Sequence, residues 1–399
     1  MERRFSLQSV FSSCSVPSKL SASLPAQFRT LATPFGDLLD TDTDRYYFHT
    51  VLEGLAAEGK KNLESIAYSH DHDRQMYQVF VGQKDWDHQP LLHLLAEQVG
   101  AAFGDRDAVI VFDPTSFPKK GTKSVGVARQ WCGRLGKVEN CQVAVCMSLA
   151  SDKGHALVNT RLYMPKEWTR SRKIAAGVPK EHHRFRTRHE LALSMLKEQR
   201  EVLPHGWVTG DDEMGRSTWF RKSLNGLEER YFLAVPSNTL VRDLEVEVEY
   251  SGRGAPKKMP FVRADQWTKL QGDSRWKRMV VREGTKGPLE VSVLTCRVQA
   301  KSITYPERLV VIRFDNDGKV QHDYYLTNAD DSVGVREYAR VSKLGHTIEE
   351  DFKQAKSECG LAEYQVRNWY GWHHHLTMSL VTSWCLTQIT LGQKKVSRR

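Results

Sequence analysis

Apolar residues recur at three- and four-residue spacing through residues 44–58 and 91–103, which predicts two amphipathic helices. Pro90 suits the first turn of the second. Between them, residues 69–74 are polar and rich in His and Asp. The pattern then changes. Residues 108–112 (AVIVF) form a short strand of buried type that ends on Asp113. A long basic, glycine-punctuated loop follows, then two strand-like runs at 142–149 and 156–164 and a helical pattern at 190–201. Residues 206–209 read as a short strand ending on Asp211 and Asp212, and 231–235 (YFLAV) as another. Strands alternating with helices predict an α/β core.

Further on, the period shortens to two. Residues 244–250 (LEVEVEY) alternate, and 289–298 and 308–314 also read as strands. The turn signal at 315–318 (DNDG) leads into a partner strand at 322–326. Helical spacing returns at 347–357 (TIEEDFKQAKS) and, more apolar, at 372–391. The chain therefore divides into a flexible tail (1–24), a helical region (25–100), a first α/β part (101–239), a β-rich block (240–330), a second helical part (331–392) and a basic tail (393–399).

Charge narrows the partners. The chain has 58 Lys and Arg against 48 Asp and Glu, a net charge of +10, which favours an anionic partner. The excess is local. Residues 114–138 hold Lys119, Lys120, Lys123, Arg129, Arg134 and Lys137 with no acid, and 166–190 hold eight Lys and Arg against three Glu. A charge run is otherwise a solvated face; here the first one follows Asp113 directly. The seven cysteines include no CxxC, which disfavours a disulfide framework or zinc knuckle and fits a reducing compartment. The longest apolar stretch, 377–391, is too short and too polar to span a bilayer. The first 24 residues lack the apolar run of a signal peptide.

Two acids follow strands, Asp113 and Asp211, and a third, Glu349, lies on a late helix. In α/β folds ligand sites gather at the carboxyl ends of strands. Carboxylates crowded there must take up protons or bind a cation. All-oxygen ligands suit Mg²⁺ or Mn²⁺, and two such ions activate a water and stabilise the leaving oxygen of a phosphodiester. The plainer reading is that acids after strands cap turns and helices.

A family resemblance changes the balance. Residues 109–145, with DPTSFPKKG, SVGVARQ and GKVENCQ in order, resemble the first catalytic block of insertion-sequence transposases with a ribonuclease H-like DDE core. WVTGDDEMGR (207–216) resembles the second block, in which an Asp precedes a Gly by four residues. IEEDFKQAKSECGLAEYQVRNWYGWHHH (348–375) resembles the third, in which a Glu precedes a Lys by seven. The resemblance implies a mixed five-stranded sheet flanked by helices, a β-rich insertion between the second and third acids, and a metal-binding catalytic triad of Asp113, Asp211 and Glu349. Asp211 is chosen over Asp212 because it stands four before Gly215. Met214 replaces the usual Tyr or Phe. Ser342 and Gly345 replace a Tyr and an Arg, with Arg340 or Lys343 as substitutes.

The function so implied is cut-and-paste transposition. The helical region recognises terminal inverted repeats, two Mg²⁺ ions (replaceable by Mn²⁺) serve cleavage and strand transfer, and a homodimer assembles on double-stranded element ends and target DNA in a prokaryotic cytoplasm. Lys119, Lys120, Lys123, Arg129, Gln130, Lys137, Asn140 and Lys356 are the expected DNA contacts, roughly half of the loop residues serving the loop's own backbone instead. Trp267 and Trp276 are expected either to stack on a base or to pack a core. The run His373 to His375 diverges around its helix by about 100° per residue; capping or DNA contact is expected there over metal binding. No Walker A pattern occurs, so no nucleotide cofactor is expected. The rival readings are a non-cutting DNA-binding relative on the same scaffold and a paired-carboxylate hydrolase of a neutral substrate.

Overall fold

The computed structural model describes residues 18–170, 177–247, 258–284, 287–316 and 319–396. Five helices come first: α1 (Ser18–Gly36), α2 (Asp42–Ala56), α3 (Leu63–Ser69), α4 (Arg74–Gly82) and α5 (Gln89–Phe103). Thr41, Asn62 and Asp73 cap α2, α3 and α4, each side chain accepting a backbone N–H of the first turn. Helix α1 starts at Ser18, inside the stretch expected to be a loose tail. Its buried stripe, Leu24, Phe28, Ala32 and Phe35, has helical spacing, but the Ser-rich start conceals it. Residues 1–17 of that tail lie outside the described residues.

One side of the sheet is built from β1 (Val109–Pro118), β2 (Ala128–Cys132), β3 (Lys137–Ser151), β4 (Gly154–Tyr163), β5 (Trp207–Gly210) and β6 (Tyr231–Ala234). β4, β3, β1, β5 and β6 lie side by side; β1 pairs antiparallel with β3 and parallel with β5, and β5 pairs parallel with β6. β2 is an edge strand paired with the start of β3. Connecting helices are α6 (Lys166–Arg170), α7 (Arg188–Gln199), α8 (Asp212–Arg216) and α9 (Thr218–Gly226).

The β-rich block contains β7 (Leu240–Asp243), β8 (Val262–Arg263), α10 (Ala264–Lys269), β9 (Lys277–Gly284), β10 (Gly287–Ala300), β11 (Glu307–Asn316) and β12 (Lys319–Thr327). It has its own small core around Trp267, Leu294, Val298, Leu309 and Leu326. It is nevertheless continuous with the rest. β12 pairs antiparallel with β6, so the described strands form one twelve-stranded sheet in which the expected five make up one side and the β-rich block the other. The strand expected at 244–250 is not formed in its described part. β7 ends at Asp243, whose carboxylate accepts the Glu245 N–H at 2.8 Å and the Trp267 indole N–H at 2.8 Å, and this turns the chain out of the ladder. Residues 248–257, and Asp317 and Gly318 of the expected turn, lie outside the described residues.

The chain closes with α11 (Val335–Gly345), α12 (Thr347–Glu358) and α13 (Trp369–Val396). α13 packs against α1, α2, α4, α5 and β4, so the first helices, the sheet and the last helix share one hydrophobic core. The basic tail expected from 393 begins inside this helix, and 397–399 lie outside the described residues. His373, His374 and His375 are all buried, which corrects the expectation of capping or DNA contact. His374 hydrogen-bonds the Val81 and Trp86 carbonyls and stacks on the Trp86 ring at 3.6 Å, and His375 bonds the Gly360 carbonyl at 2.9 Å. Burial pushes both imidazoles down to about 4, so they stay neutral near pH 7, and the single N–H of neutral His374 serves one of its two carbonyls at a time.

Candidate active site

The register of β1 against β5 places the first two acids. Val109 to Phe112 pair with Trp207 to Gly210, so Asp113 and Asp211 are the next residues of two parallel neighbours. Strands in a sheet lie about 4.8 Å apart, and residues in register point to the same face. Asp211 is also the N-cap of α8; its Oδ1 accepts the Met214 N–H at 3.1 Å. Gly215 explains the spacing of four. A Cβ there would lie 1.9 Å from the Ala234 carbonyl oxygen, so only glycine lets α8 seat against β6 and hold Asp211 at the strand end. Met214, fully buried, fills the space under that turn.

Glu349 stands in the first turn of α12. Ile348, Phe352 and Ala355 bury one face of this helix, and Asp351 anchors it. The buried Asp351 carboxylate accepts the Ser148 hydroxyl at 2.6 Å on β3 and the His155 ring N–H at 2.7 Å on β4. That hydrogen bond, more than any other influence, raises the His155 pKa. Asp351→Ala is expected to cost about 2–3 kcal/mol, because it removes the charged acceptor of the half-buried His155 and one of two acceptors open to the buried Ser148 hydroxyl, the other being the Ala156 carbonyl. It should also raise hydrogen exchange across 347–358; unchanged protection there would show that Asp351 does not hold the helix.

Asp113, Asp211 and Glu349 line one cavity of about 490 Å³, together with Asp212, Asp323 and His346. Asp113 is pushed well above the usual carboxylate range, first by burial and then by the charges of Asp211 and Glu349, with Lys356 opposing. Burial raises Asp211 to about 6. Asp212 is exposed and pairs with Arg216 at 2.9 Å. Among the described residues no three His, Cys, Asp or Glu side chains close around one point, so the acids share an open cavity, not a finished cage. An open set of hard oxygen donors whose charges repel suits a divalent cation that keeps part of its shell for other ligands.

The remaining expected residues fall into two groups. Lys356 donates to the Thr115 hydroxyl at 2.6 Å, two residues along β1 from Asp113. Lys120, Lys123, Arg129 and Lys137 are exposed, Lys137 beside Glu139 at 3.2 Å. Lys119 lies over the Tyr364 ring at 3.5 Å, and burial lowers its pKa to about 8. Gln130 and Asn140 are engaged by backbone, Gln130 with the Cys141 carbonyl and Asn140 with those of Lys119 and Gly121. Gln142 is buried between the Val125 carbonyl and the Tyr364 hydroxyl.

The tryptophans of the β-rich block differ. Trp267 is buried in that block's core, whereas Trp276 is half-buried under Arg313, at 4.3 Å, and beside His322 of the cavity wall. Arg340 is held by Glu337 and the Asp107 carbonyl, while Lys343 is exposed and lines a neighbouring cavity with Glu349. Ser342 hydrogen-bonds the Tyr325 hydroxyl at 3.0 Å. Asp323 escaped the sequence reading. Its only signal is a carboxylate in a strand, and its place in the wall depends on the β6–β12 pairing.

The sequence profile of the DDE superfamily endonuclease family matches residues 34–288. A probable transposase for insertion sequence element IS701 from Microchaete diplosiphon is 26% identical over 314 residues, covering 78% of this chain and 73% of the relative. Among solved structures, the cryo-EM structure of the piggyBac transposase synaptic complex with hairpin DNA aligns over 90% of this chain and 68% of that one, at 13% identity and a TM-score of 0.41. No helix among the described residues is long and apolar enough to cross a membrane.

Proposed function

This chain belongs to the DDE superfamily endonuclease family, and on that premise we propose that it is an insertion-sequence transposase that cuts and rejoins DNA at Asp113, Asp211 and Glu349. One observation carries the reading: acids 98 and 138 residues apart (211 − 113 and 349 − 211) line the same cavity, Asp113 just past the stretch of β1 that pairs parallel with β5 and Asp211 directly after β5. The order β4-β3-β1-β5-β6, with Asp113 on β1 and Asp211 after β5, the fourth of these five in chain order, supports a ribonuclease H-like core. Asp211 is preferred to Asp212, whose exposed carboxylate already pairs with Arg216.

Asp113, Asp211 and Glu349 would hold the divalent cations, two Mg²⁺ or Mn²⁺. When bound, these supply Lewis-acid activation of a water or 3′-hydroxyl and stabilise the departing oxygen. The chain's own residues do the positioning. α12 holds Glu349 over the strand ends, and Lys356, two helical turns on, offers its ammonium to a phosphate at Asp113. The exposed Lys120, Lys123, Arg129 and Lys137 fix the DNA backbone without reading its sequence. Element ends and target are double-stranded DNA, the helical region 25–100 recognises the terminal repeats, and joining two ends calls for a homodimer on DNA.

The test is cleavage of labelled DNA carrying the element's ends in the presence of Mg²⁺. Alanine at Asp113, Asp211 or Glu349 is expected to abolish cutting and leave end binding in place. Retained cutting by any one variant would remove that residue from the triad, and binding without cutting by the unaltered chain would favour the non-cutting alternative. Lys356→Ala should weaken binding about equally across sequences and flatten the slope of affinity against salt by about one; an unchanged slope would place Lys356 away from phosphate.

A further inference from the structure

The β2–β3 ribbon is anchored on one face and bare on the other. Cys132, Cys141 and Val143 bury the inner face. On the outer face Arg129 and Trp131 follow each other at strand period, and Trp131 stands directly across from Val138. Trp131 is 57% exposed, Val138 52%, and Leu135 at the ribbon's tip 45%. Burying a tryptophan at a strand edge is the easy solution for folding, and this one is left in water with two apolar neighbours.

Two observations define what it faces. Arg129 shares the outer face and Arg134 precedes Leu135 at the tip, both exposed, while Lys137 and Glu139, paired with each other at 3.2 Å, alternate onto the face of Cys132 and Cys141. The surround is therefore cationic, which favours a polyanion over an apolar protein surface. The tip is also tied to the strand that carries Asp113. The Arg134 backbone N–H donates to the Ser116 hydroxyl at 3.3 Å, three residues along β1 from Asp113, and the Arg134 charge acts on Lys356. A flat indole amid cations beside a phosphodiester-cutting site matches the design of single-strand nucleic-acid surfaces, where bases stack on aromatics and the backbone follows basic side chains.

We propose that Trp131 is a stacking platform for an unpaired base of the DNA strand that runs past the carboxylate cavity, with Arg129 and Arg134 holding the adjacent phosphates. The inference rests on the DNA-cutting reading of that cavity and adds a local opening of the duplex at the cut. The exposed indole makes no contribution to the ribbon's buried face, so its removal leaves the fold intact.

The experiment compares a labelled blunt duplex with the same duplex carrying a short unpaired 3′ extension, bound by the unaltered chain, Trp131→Phe and Trp131→Ala. The expected result is a loss of affinity of about tenfold to a hundredfold for Trp131→Ala on the extended duplex. Trp131→Phe should keep most of the affinity, and the blunt duplex should shift less than about twofold. Equal affinity of Trp131→Ala and the unaltered chain on the extended duplex overturns the proposal, as does an equal loss on both DNAs. A change of oligomeric state without DNA, with DNA affinity kept, would assign the patch to a second copy and overturn it as well. An unaltered chain that binds neither DNA sinks the DNA-cutting reading itself.

Discussion

Replacing Asp113 with Asn is expected to lower the rate of DNA cleavage at least a thousandfold, roughly 4 kcal/mol of transition-state stabilisation, while making the cation-free protein more stable. The two effects share one cause. Asp113 is buried beside the charges of Asp211 and Glu349, which push its carboxyl well above the ordinary range. Asp211 is raised to about 6. A carboxyl whose folded pKa exceeds its unfolded one binds more protons in the folded state, so stability falls as pH rises from near 4 through the folded value. Above pH 6 the fold therefore carries destabilising charge unless a divalent cation offsets it. Cation-free Asp113→Asn should melt about 2–5 °C higher at pH 7.5. Added Mg²⁺ should raise the melting temperature of the unaltered chain and barely move that of the variant. A cation-free variant that melts lower, or an equal Mg²⁺ effect in both, would mean that the acids do not share a cation.

Loss of Arg221 is expected to be the most destabilising single change, about 3–5 kcal/mol. Arg221 on α9 and Glu307 on β11 form an ion pair at 2.9 Å, with side chains 2% and 0% exposed. The Tyr231 hydroxyl of β6 donates to the same Glu307 oxygen at 2.6 Å, and the guanidinium also reaches the Gly215 carbonyl. Arg221→Ala would leave Glu307, already pushed up by burial, without its counter-charge at the seam between β1–β6 and the β-rich block. Because Gly215 seats the helix that Asp211 caps, cleavage should fall with stability. Denaturant melts of Arg221→Ala, and of Arg221→Met combined with Glu307→Leu, separate the causes. The double variant should recover most of the loss, since an apolar pair of similar volume replaces a buried ion pair at little cost. If it melts as low as the single variant, packing and not charge holds the seam.

Asp113 and Asp211 were legible because each follows a strand-like run, AVIVF and WVTG, which is a local signal. Only Asp211 stands at a strand end: the strand expected to stop at Asp113 runs on to Pro118, because residues 113–118 keep pairing with β3. Glu349 was not legible that way, since a first-turn Glu is common on helices; the resemblance of its block singled it out. What escaped depended on contacts far apart in sequence. The β6–β12 pairing joins residues 232–234 to 325–327, and no local pattern announces it. The three histidines looked polar enough for a surface, yet a buried neutral ring needs only one acceptor for its N–H: His373 finds Trp369 on its own helix, and His374 and His375 find carbonyls of other segments. Gln130 and Asn140 looked like DNA contacts for a similar reason. The amide that would reach a phosphate instead closes the loop's own backbone. Trp131 was hidden by the opposite error, because aromatic residues in strands are expected to be buried.

Helix α13 has a consequence for biosynthesis. Helices α1, α2, α4 and α5 pack apolar faces against a segment made more than 260 residues later (369 − 103 = 266 at the nearest). Native pairings of such long range form slowly. While the ribosome is still working, those faces have no final partner and invite chaperones. A chain cut short before residue 369 would display a greasy, unpaired helical bundle. Proteolysis would then clear it before it could compete for DNA with the intact enzyme.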